Sequence, residues 1–234
     1  MEPTFKIRSS ATAKLMGVKG LGQTGYSYLE AWLKNHLYKR RADVKSKYLD
    51  KGNIAEEDGF TLMALQLDLG MVYKNIGLFQ NDYLIGTPDL IVNGVVYDNK
   101  CSWSLDTFPM FDKDVPNKDY YWQLQSYMEL TGCDKAVLAY TLIDADISLI
   151  EQAIKWESDA NKIYQIICNM TYTKATFESY AKEFCPTATS NHFIDIPDYD
   201  RIRTFNIDKD QNAIDLIYAR VAESREYINS LLNK

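Results

Sequence analysis

Asn93-Gly94, set between DLIV and VVYD, constrains the fold of this chain more than any other feature. Both central residues of a two-residue type I′ turn need positive φ, which Asn and Gly accept at little cost. The stretch TPDLIVNGVVYDNK, Thr87 to Lys100, therefore reads as a β-hairpin. The turn sets the register: Val92 faces Val95 and, by extension, Asp89 faces Asp98. Directly opposed residues lie roughly 4.5–5.5 Å apart at Cβ, and like charges there repel. Side chains alternate along a strand, so Lys100 shares a face with Asp98. A hairpin built for stability alone has no use for two facing carboxylates. Oxygen donors of this kind suit Mg²⁺ or Mn²⁺, and a lysine beside such an ion can neutralise an oxyanion or orient a water. The structural alternative places Asp89 at a strand end and pairs Lys100 with either acid.

Around the hairpin, periodicity and capping residues outline a mixed protein. Ser9 or Ser10 can cap a short helix through ATAKLMG, and Thr24 a longer one through TGYSYLEAWLKNHLYKRR. A third helix is expected over 55–69, with Gly70 just past its end. Strand-like segments follow at 71–80, 83–92 and 95–101. A helix through DYYWQLQSYMELTG is capped by Asn117 and stopped at Gly132. AVLAYTLI, 136–143, reads as a buried strand and 148–169 as a helix, followed by an irregular stretch with Cys185-Pro186 and Ile196-Pro197. RTFNI is a short strand, and NAIDLIYARVAESREYINSLL closes the chain as an amphipathic helix. The expected class is α/β (an α+β mixed sheet flanked by helices).

The 234 residues are expected to form one domain: a basic helical part (1–51), a catalytic core (52–143) and a helical and strand part (144–234). No apolar run approaches the length of a membrane span, and MEPTFKIRSS lacks a signal-peptide layout. Cys101, Cys133, Cys168 and Cys185 are widely spaced and read as reduced thiols of an intracellular protein. His36 and His192 lack ligand spacing. Net charge is −6, but unevenly placed: residues 1–51 hold eleven Lys/Arg against four Asp/Glu, the remainder fifteen against twenty-eight. A basic N-terminal part that includes Arg40 and Arg41 fits either a phosphate-binding surface or a solvated helix face.

Pro88-Asp89 followed by Asp98-Asn99-Lys100 resembles the signature of the PD-(D/E)xK nucleases, in the spacing and hairpin context those enzymes use. Upstream, Gly52 precedes Glu56 by four residues, similar to the G-x-x-x-E pattern of the lambda exonuclease and YqaJ branch. Glu57 is the fallback, since one residue turns a helical side chain by about 100°, and acids in a first helical turn also simply favour the dipole. Downstream, Gln123 and Tyr127 form Q-x-x-x-Y, as in RecB-like and lambda-type nucleases; at i and i+4 they share a helix face. NKCSWSLDTF resembles the segment after the catalytic lysine in lambda exonuclease. IRSSATAKLM resembles its N-terminal segment, where a serine and basic residues receive a DNA 5′-phosphate; Ser10 is the match, with Arg8, Lys14 and Lys19 as cationic partners.

The resemblance implies a restriction-endonuclease-like core in which Asp89, Asp98, Glu56 and the backbone carbonyl of Asn99 hold Mg²⁺ or Mn²⁺. Lys100 then orients or deprotonates the attacking water, and Gln123 and Tyr127 support the site. It implies a phage-type exonuclease acting on duplex DNA ends in the cytoplasm of a bacterial or phage-infected cell. A ring-shaped homo-oligomer and a single-strand annealing protein are the implied partners. A structure-specific or defence endonuclease with the same residues, and a catalytically silent DNA-binding module, are the alternatives.

Overall fold

The computed structural model describes residues 4–40, 47–189 and 192–233, with the side chains of 47–54 outside that description. The hairpin forms in the expected register. Strands β4 (Leu90–Val92) and β5 (Val95–Cys101) pair antiparallel, with Val92 opposite Val95 and Leu90 opposite Tyr97. Asn93 and Gly94 take φ of 50° and 75°, as the tight turn requires. β5 then pairs parallel with β6 (Lys135–Thr141), and β6 antiparallel with β7 (Ile202–Asp208), giving a mixed sheet in the order β4-β5-β6-β7. A small second sheet joins β1 (Ile7–Arg8), β3 (Leu84–Gly86) and β2 (Phe79–Gln80) in the order β1-β3-β2. The fold class is thus the mixed α/β arrangement expected.

Helices cover both faces of the larger sheet. On one lies α3 (Lys118–Thr131), whose Leu124, Tyr127 and Met128 pack with Val96, Leu138, Phe205 and Ile207 in the main core. Asn117 caps it by accepting from the Asp119 N–H at 2.9 Å, and Gly132 ends it at φ 72°. The other face receives α2 (Lys47–Gln66) at Gly59, the residue that meets β5 and β6 closely. A Cβ there would stand 2.4 Å from Asn99 Nδ2, 2.7 Å from Cys101 Sγ and 2.8 Å from Thr141 Oγ1. Gly59→Ala is therefore expected to destabilise the fold despite alanine's better helix propensity. The overpacking cost of roughly 1–3 kcal/mol exceeds the gain of about 1 kcal/mol, and a lowered urea midpoint with unchanged slope is the readout.

Several expected boundaries move. The segment after Arg8 is a 3₁₀ helix, Ser9–Leu15, without a side-chain cap, so neither Ser9 nor Ser10 is an N-cap. Ser9 is buried against β3 instead, and Thr12 Oγ1 meets Ser126 Oγ of α3 at 2.9 Å. The next helix, α1 (Gly22–Tyr38), begins before Thr24, with Leu21 at its cap. α2 starts well ahead of Ala55, which puts Gly52 and Glu56 inside it and removes the first-turn dipole reading of those acids. The strand expected over 71–80 shrinks to β2. Asn75 Oδ1 accepts from the Gly77 N–H at 3.0 Å, and the Asn75 N–H donates to the Asp89 carbonyl at 2.7 Å, so this backbone turns rather than joining a ladder.

The strand expected over 83–92 is broken at Thr87–Asp89, where Pro88 has no N–H to give. The helix expected over 148–169 is two, α4 (Ile147–Ile154) and α5 (Ala160–Met170), the second capped by Asp159. The stretch read as irregular contains a further helix, α6 (Lys174–Phe184), which ends just before Cys185-Pro186. α4, α5 and α6 bury Ile150, Ile163, Ile167 and Phe177 in a core of their own. The closing helix, α7 (Gln211–Leu232), packs through Ile214, Ile217 and Val221 on the N-terminal segment. No helix among the described residues is long and apolar enough to cross a membrane.

Candidate active site

The break at Thr87–Asp89 places Asp89 at the open end of the hairpin, and alternation along β5 points Asp98 and Lys100 toward α3. Asp98 is 1% exposed. Its Oδ1 accepts from Gln123 Nε2 at 3.1 Å, and its Oδ2 lies 2.6 Å from Lys100 Nζ. Gln123 Nε2 also donates to the Tyr127 hydroxyl at 3.2 Å. Lys100 Nζ sits 5.0 Å from the centre of the Tyr120 ring, a cation–π contact that helps to hold the ammonium over the site. Asp89 has less support: Oδ2 accepts a long bond, 3.4 Å, from the Asn99 N–H.

These differences show in the electrostatics. Burial, and then the neighbouring Asp98 charge, push the Asp89 carboxyl up to about 7, against the opposing pull of Lys100. Burial alone would lower the Lys100 ammonium, but the charge and hydrogen bond of Asp98 outweigh it and leave it raised. Burial and Asp98 lift the Tyr127 phenol to about 12, so the hydroxyl that accepts from Gln123 stays neutral at physiological pH. The site is a buried pair, Asp98–Lys100, beside a second carboxylate that ionises reluctantly. The pairing expected of Lys100 is realised with Asp98, and among the described residues no cation lies within hydrogen-bond distance of Asp89.

That geometry fits a divalent cation. Asp98 Oδ2 is buried and has no conventional hydrogen bond beyond its ion pair, and the Asp89 carboxylate faces it without strong donors. Two neighbouring carboxylates that share a single ammonium leave oxygen donors of the kind a divalent ion such as Mg²⁺ or Mn²⁺ would take. Among the described residues no three His, Cys, Asp or Glu side chains already converge as a cage. Glu56 is near enough for its charge to act on Asp89, but its Oε1 is engaged by Lys74 Nζ. Glu57 is exposed beside it in the groove between α2 and residues 70–74. The Asn99 side chain points the other way: its Oδ1 accepts from Thr141 Oγ1 at 3.1 Å on the α2 side, so only its backbone is available to the site.

A cavity of about 530 Å³ opens on the far side of Tyr127, lined by Lys6, Arg8, Ser10, Trp32 and Thr87. Tyr127 thus borders both this cavity and the acid pair. Ser10 and Arg8 are brought together there; Lys14 and Lys19 are exposed but do not line it, and Lys14 instead lies 5.1 Å from the Tyr28 ring centre. Arg40 is exposed beyond the end of α1, and Arg41 lies outside the described residues. The helix that begins at Ser9 is a seven-residue 3₁₀ helix with Arg8 at its cap, so Ser10 lies in its first turn and does not cap it.

Sequence reasoning missed Tyr120, Lys74 and Asn75. Tyr120 precedes Gln123 by three and Tyr127 by seven residues, a helical face that the Q-x-x-x-Y pattern could have extended. Nothing in the sequence marks Lys74 or Asn75, whose proximity to Asp89 depends on the path of 67–78.

No family model and no curated protein sequence matches the chain. Solved structures do. The fold is that of a phage-related exonuclease from Haemophilus somnus 129PT, at a TM-score of 0.74 and 24% identity over 99% of this chain and 96% of that one. An alkaline exonuclease from Laribacter hongkongensis aligns at a TM-score of 0.65 and 13% identity, over 97% and 90% of the two chains. Its complex with dAMP aligns at 0.63 and 15%, over 97% and 91%. The chain therefore shares the mixed α/β fold of these structures.

Proposed function

We propose that the protein is a metal-dependent deoxyribonuclease of the phage-recombination type, which removes nucleotides from the ends of duplex DNA. One observation carries the reading: Asp89, Asp98 and Lys100 meet at the end of the β4–β5 hairpin, against Gln123 and Tyr127, in a fold shared with exonucleases. The complex of one such enzyme with dAMP, a DNA mononucleotide, supports DNA as the substrate class.

Asp89 and Asp98, with the Asn99 carbonyl and Glu56, are the residues that would hold Mg²⁺ or Mn²⁺. Such an ion polarises a phosphodiester and acidifies a bound water. Lys100 holds its charge at a fixed point beside Asp98, where it orients the attacking water or stabilises the charge that builds on phosphorus oxygens. Gln123 keeps Asp98 in one rotamer, and Tyr127 carries that order to the cavity at Arg8 and Ser10. In this reading the cavity receives the 5′-terminal phosphate, and Lys14, Lys19, Arg40 and Arg41 meet the backbone farther along. Resection of this kind suits a cytoplasmic protein working in a homo-oligomeric ring, with a single-strand annealing protein to take up the exposed strand.

Initial rates on 5′-phosphorylated linear, 5′-hydroxyl linear and closed circular duplex with Mg²⁺ test the proposal. The expected order is phosphorylated, then hydroxyl, with the circle intact. Ser10→Ala should narrow the preference between the two ends severalfold while leaving cleavage at an internal nick nearly unchanged. Equal rates on all three substrates would favour an endonuclease with the same residues, and no cleavage of any would favour a DNA-binding module.

A further inference from the structure

The contact between Lys74 and Glu56 joins two parts of the site that the chain separates by 18 residues. Glu56 lies within α2, beside the buried face through which Ala55 and Gly59 pack on the sheet. Lys74 lies on the irregular segment after that helix. Its neighbour Asn75 clamps this segment to the corner that carries Asp89: the Asn75 N–H donates to the Asp89 carbonyl at 2.7 Å, and Nδ2 to the Pro88 carbonyl at 2.9 Å. The backbone beside Lys74 is therefore anchored to the Asp89 corner by two hydrogen bonds of Asn75 that have no dependence on the charge of the lysine. Its side chain is 48% exposed and that of Glu56 35%, so the pair sits at the lip of the site, open to solvent and to a ligand.

Lys100 and Lys74 differ in one respect that matters. Lys100 is committed to Asp98 in a pair whose carboxylate is buried. The Lys74–Glu56 pair is half in water, where such contacts are weak and easily exchanged. A divalent ion entering between Asp89 and Asp98 attracts Glu56, repels Lys74, and competes for the same carboxylate oxygens.

We propose that Lys74 is a positioning residue that occupies Glu56 in the metal-free protein and, once Glu56 turns to the ion, is released to contact the DNA backbone beside the scissile phosphate. This inference rests on the metal-dependent nuclease reading. It adds a counter-ion exchange, in which metal and DNA reinforce each other because one lysine cannot serve Glu56 and a phosphate at once. The fold places the lysine to do both: its backbone is pinned at the Asp89 corner, and its long side chain is free to swing.

The test measures binding, not turnover. Mn²⁺ is titrated calorimetrically into DNA-free wild type, Lys74→Ala, Glu56→Gln and the double variant. Lys74→Ala should bind Mn²⁺ more tightly, by up to about fivefold, because Glu56 no longer has a competing partner. In the Glu56→Gln background the same substitution should tighten binding clearly less, because only the direct repulsion between Lys74 and the ion is then removed; an equal gain in both backgrounds overturns the exchange. Salt titrations of 5′-phosphorylated duplex binding then supply the second arm. With Ca²⁺ present, Lys74→Ala should lower the log–log slope by about 0.9 and Lys74→Arg should keep it; in EDTA, wild type and Lys74→Ala should give one slope.

Equal or weaker Mn²⁺ binding by Lys74→Ala, or an unchanged slope with Ca²⁺, overturns the exchange and leaves the nuclease reading standing. Failure of wild type to bind Mn²⁺, when Asp89→Asn behaves identically, overturns both.

Discussion

Asp89→Asn is expected to reduce Mg²⁺-dependent cleavage by at least about a thousandfold, in line with losses of roughly 10²–10⁴ for a positioned acid–base or charge-stabilising group. The same substitution should stabilise the metal-free protein above neutral pH. The carboxyl is raised from 3.8 in the ordinary state to about 7 in the fold, chiefly by burial and then by Asp98. Between those two values the native protein holds a proton that the unfolded chain gives up. Stability of the metal-free wild type therefore falls as pH rises through this window and levels off above about 7. Asparagine has no proton to lose. The variant should lack that slope and, at pH 8, exceed wild type by on the order of 2 kcal/mol, discounted from a ceiling near 4 kcal/mol because Asp89 is partly exposed and coupled to Asp98. Urea unfolding in EDTA at pH 5 and pH 8 reads both quantities. A wild-type slope retained in the variant would mean that Asp89 is not the strained acid. On the proposed metal-dependent reading Mg²⁺ would bind the ionised form, so in wild type its affinity should climb between pH 6 and 8 as the proton leaves.

Lys100→Ala should match that loss of cleavage and do the opposite to stability. Removing the ammonium leaves Asp98, 1% exposed, without its counter-charge. Breaking a buried pair by deleting one partner costs roughly 3–5 kcal/mol; because the Lys100 side chain is 24% exposed, about 2–3 kcal/mol is expected here. The double variant Lys100→Ala/Asp98→Asn should recover most of this loss, since the neutral amide that replaces the carboxylate would still accept from Gln123 and needs no cation, while cleavage stays absent. Denaturation midpoints of the four proteins form a cycle. If the double variant is no more stable than Lys100→Ala, the loss arises from packing and not from a stranded carboxylate. The two facing acids thus do not share one fate: relief on deletion belongs to Asp89, because Lys100 already compensates Asp98.

The hairpin and its acids were legible because the code involved is local. Asn-Gly accepts positive φ at two successive positions, and period-two alternation carries that register out to Asp89, Asp98 and Lys100. Gln123 and Tyr127 stood out through the Q-x-x-x-Y resemblance, and their i, i+4 spacing between a plain N-cap and a plain glycine stop put them on one helix face. Errors fell where local signals compete. Ser9 and Ser10 look like caps, yet Ser9 is drawn into the interior against β3. The run 148–169 has one helical period, but Asp159 caps a new helix within it. Residues 71–80 look strand-like, while Asn75 commits its hydrogen bonds to the Asp89 corner.

What the sequence by itself determined is the hairpin, its register, the three groups at its open end and the mixed class of fold, all of which follow from φ preferences and side-chain periods within a few residues. Only the tertiary structure decided how those groups divide their charges. Asp98 is sunk beneath α3 and paired with Lys100, Asp89 is desolvated and left to hold a proton near neutrality, and Glu56 is taken by Lys74. Burial and pairing depend on which distant segments cover each carboxylate. The packing of α3 over β5 covers Asp98, and the clamp of Asn75 holds the Asp89 corner; the second of these leaves no local mark.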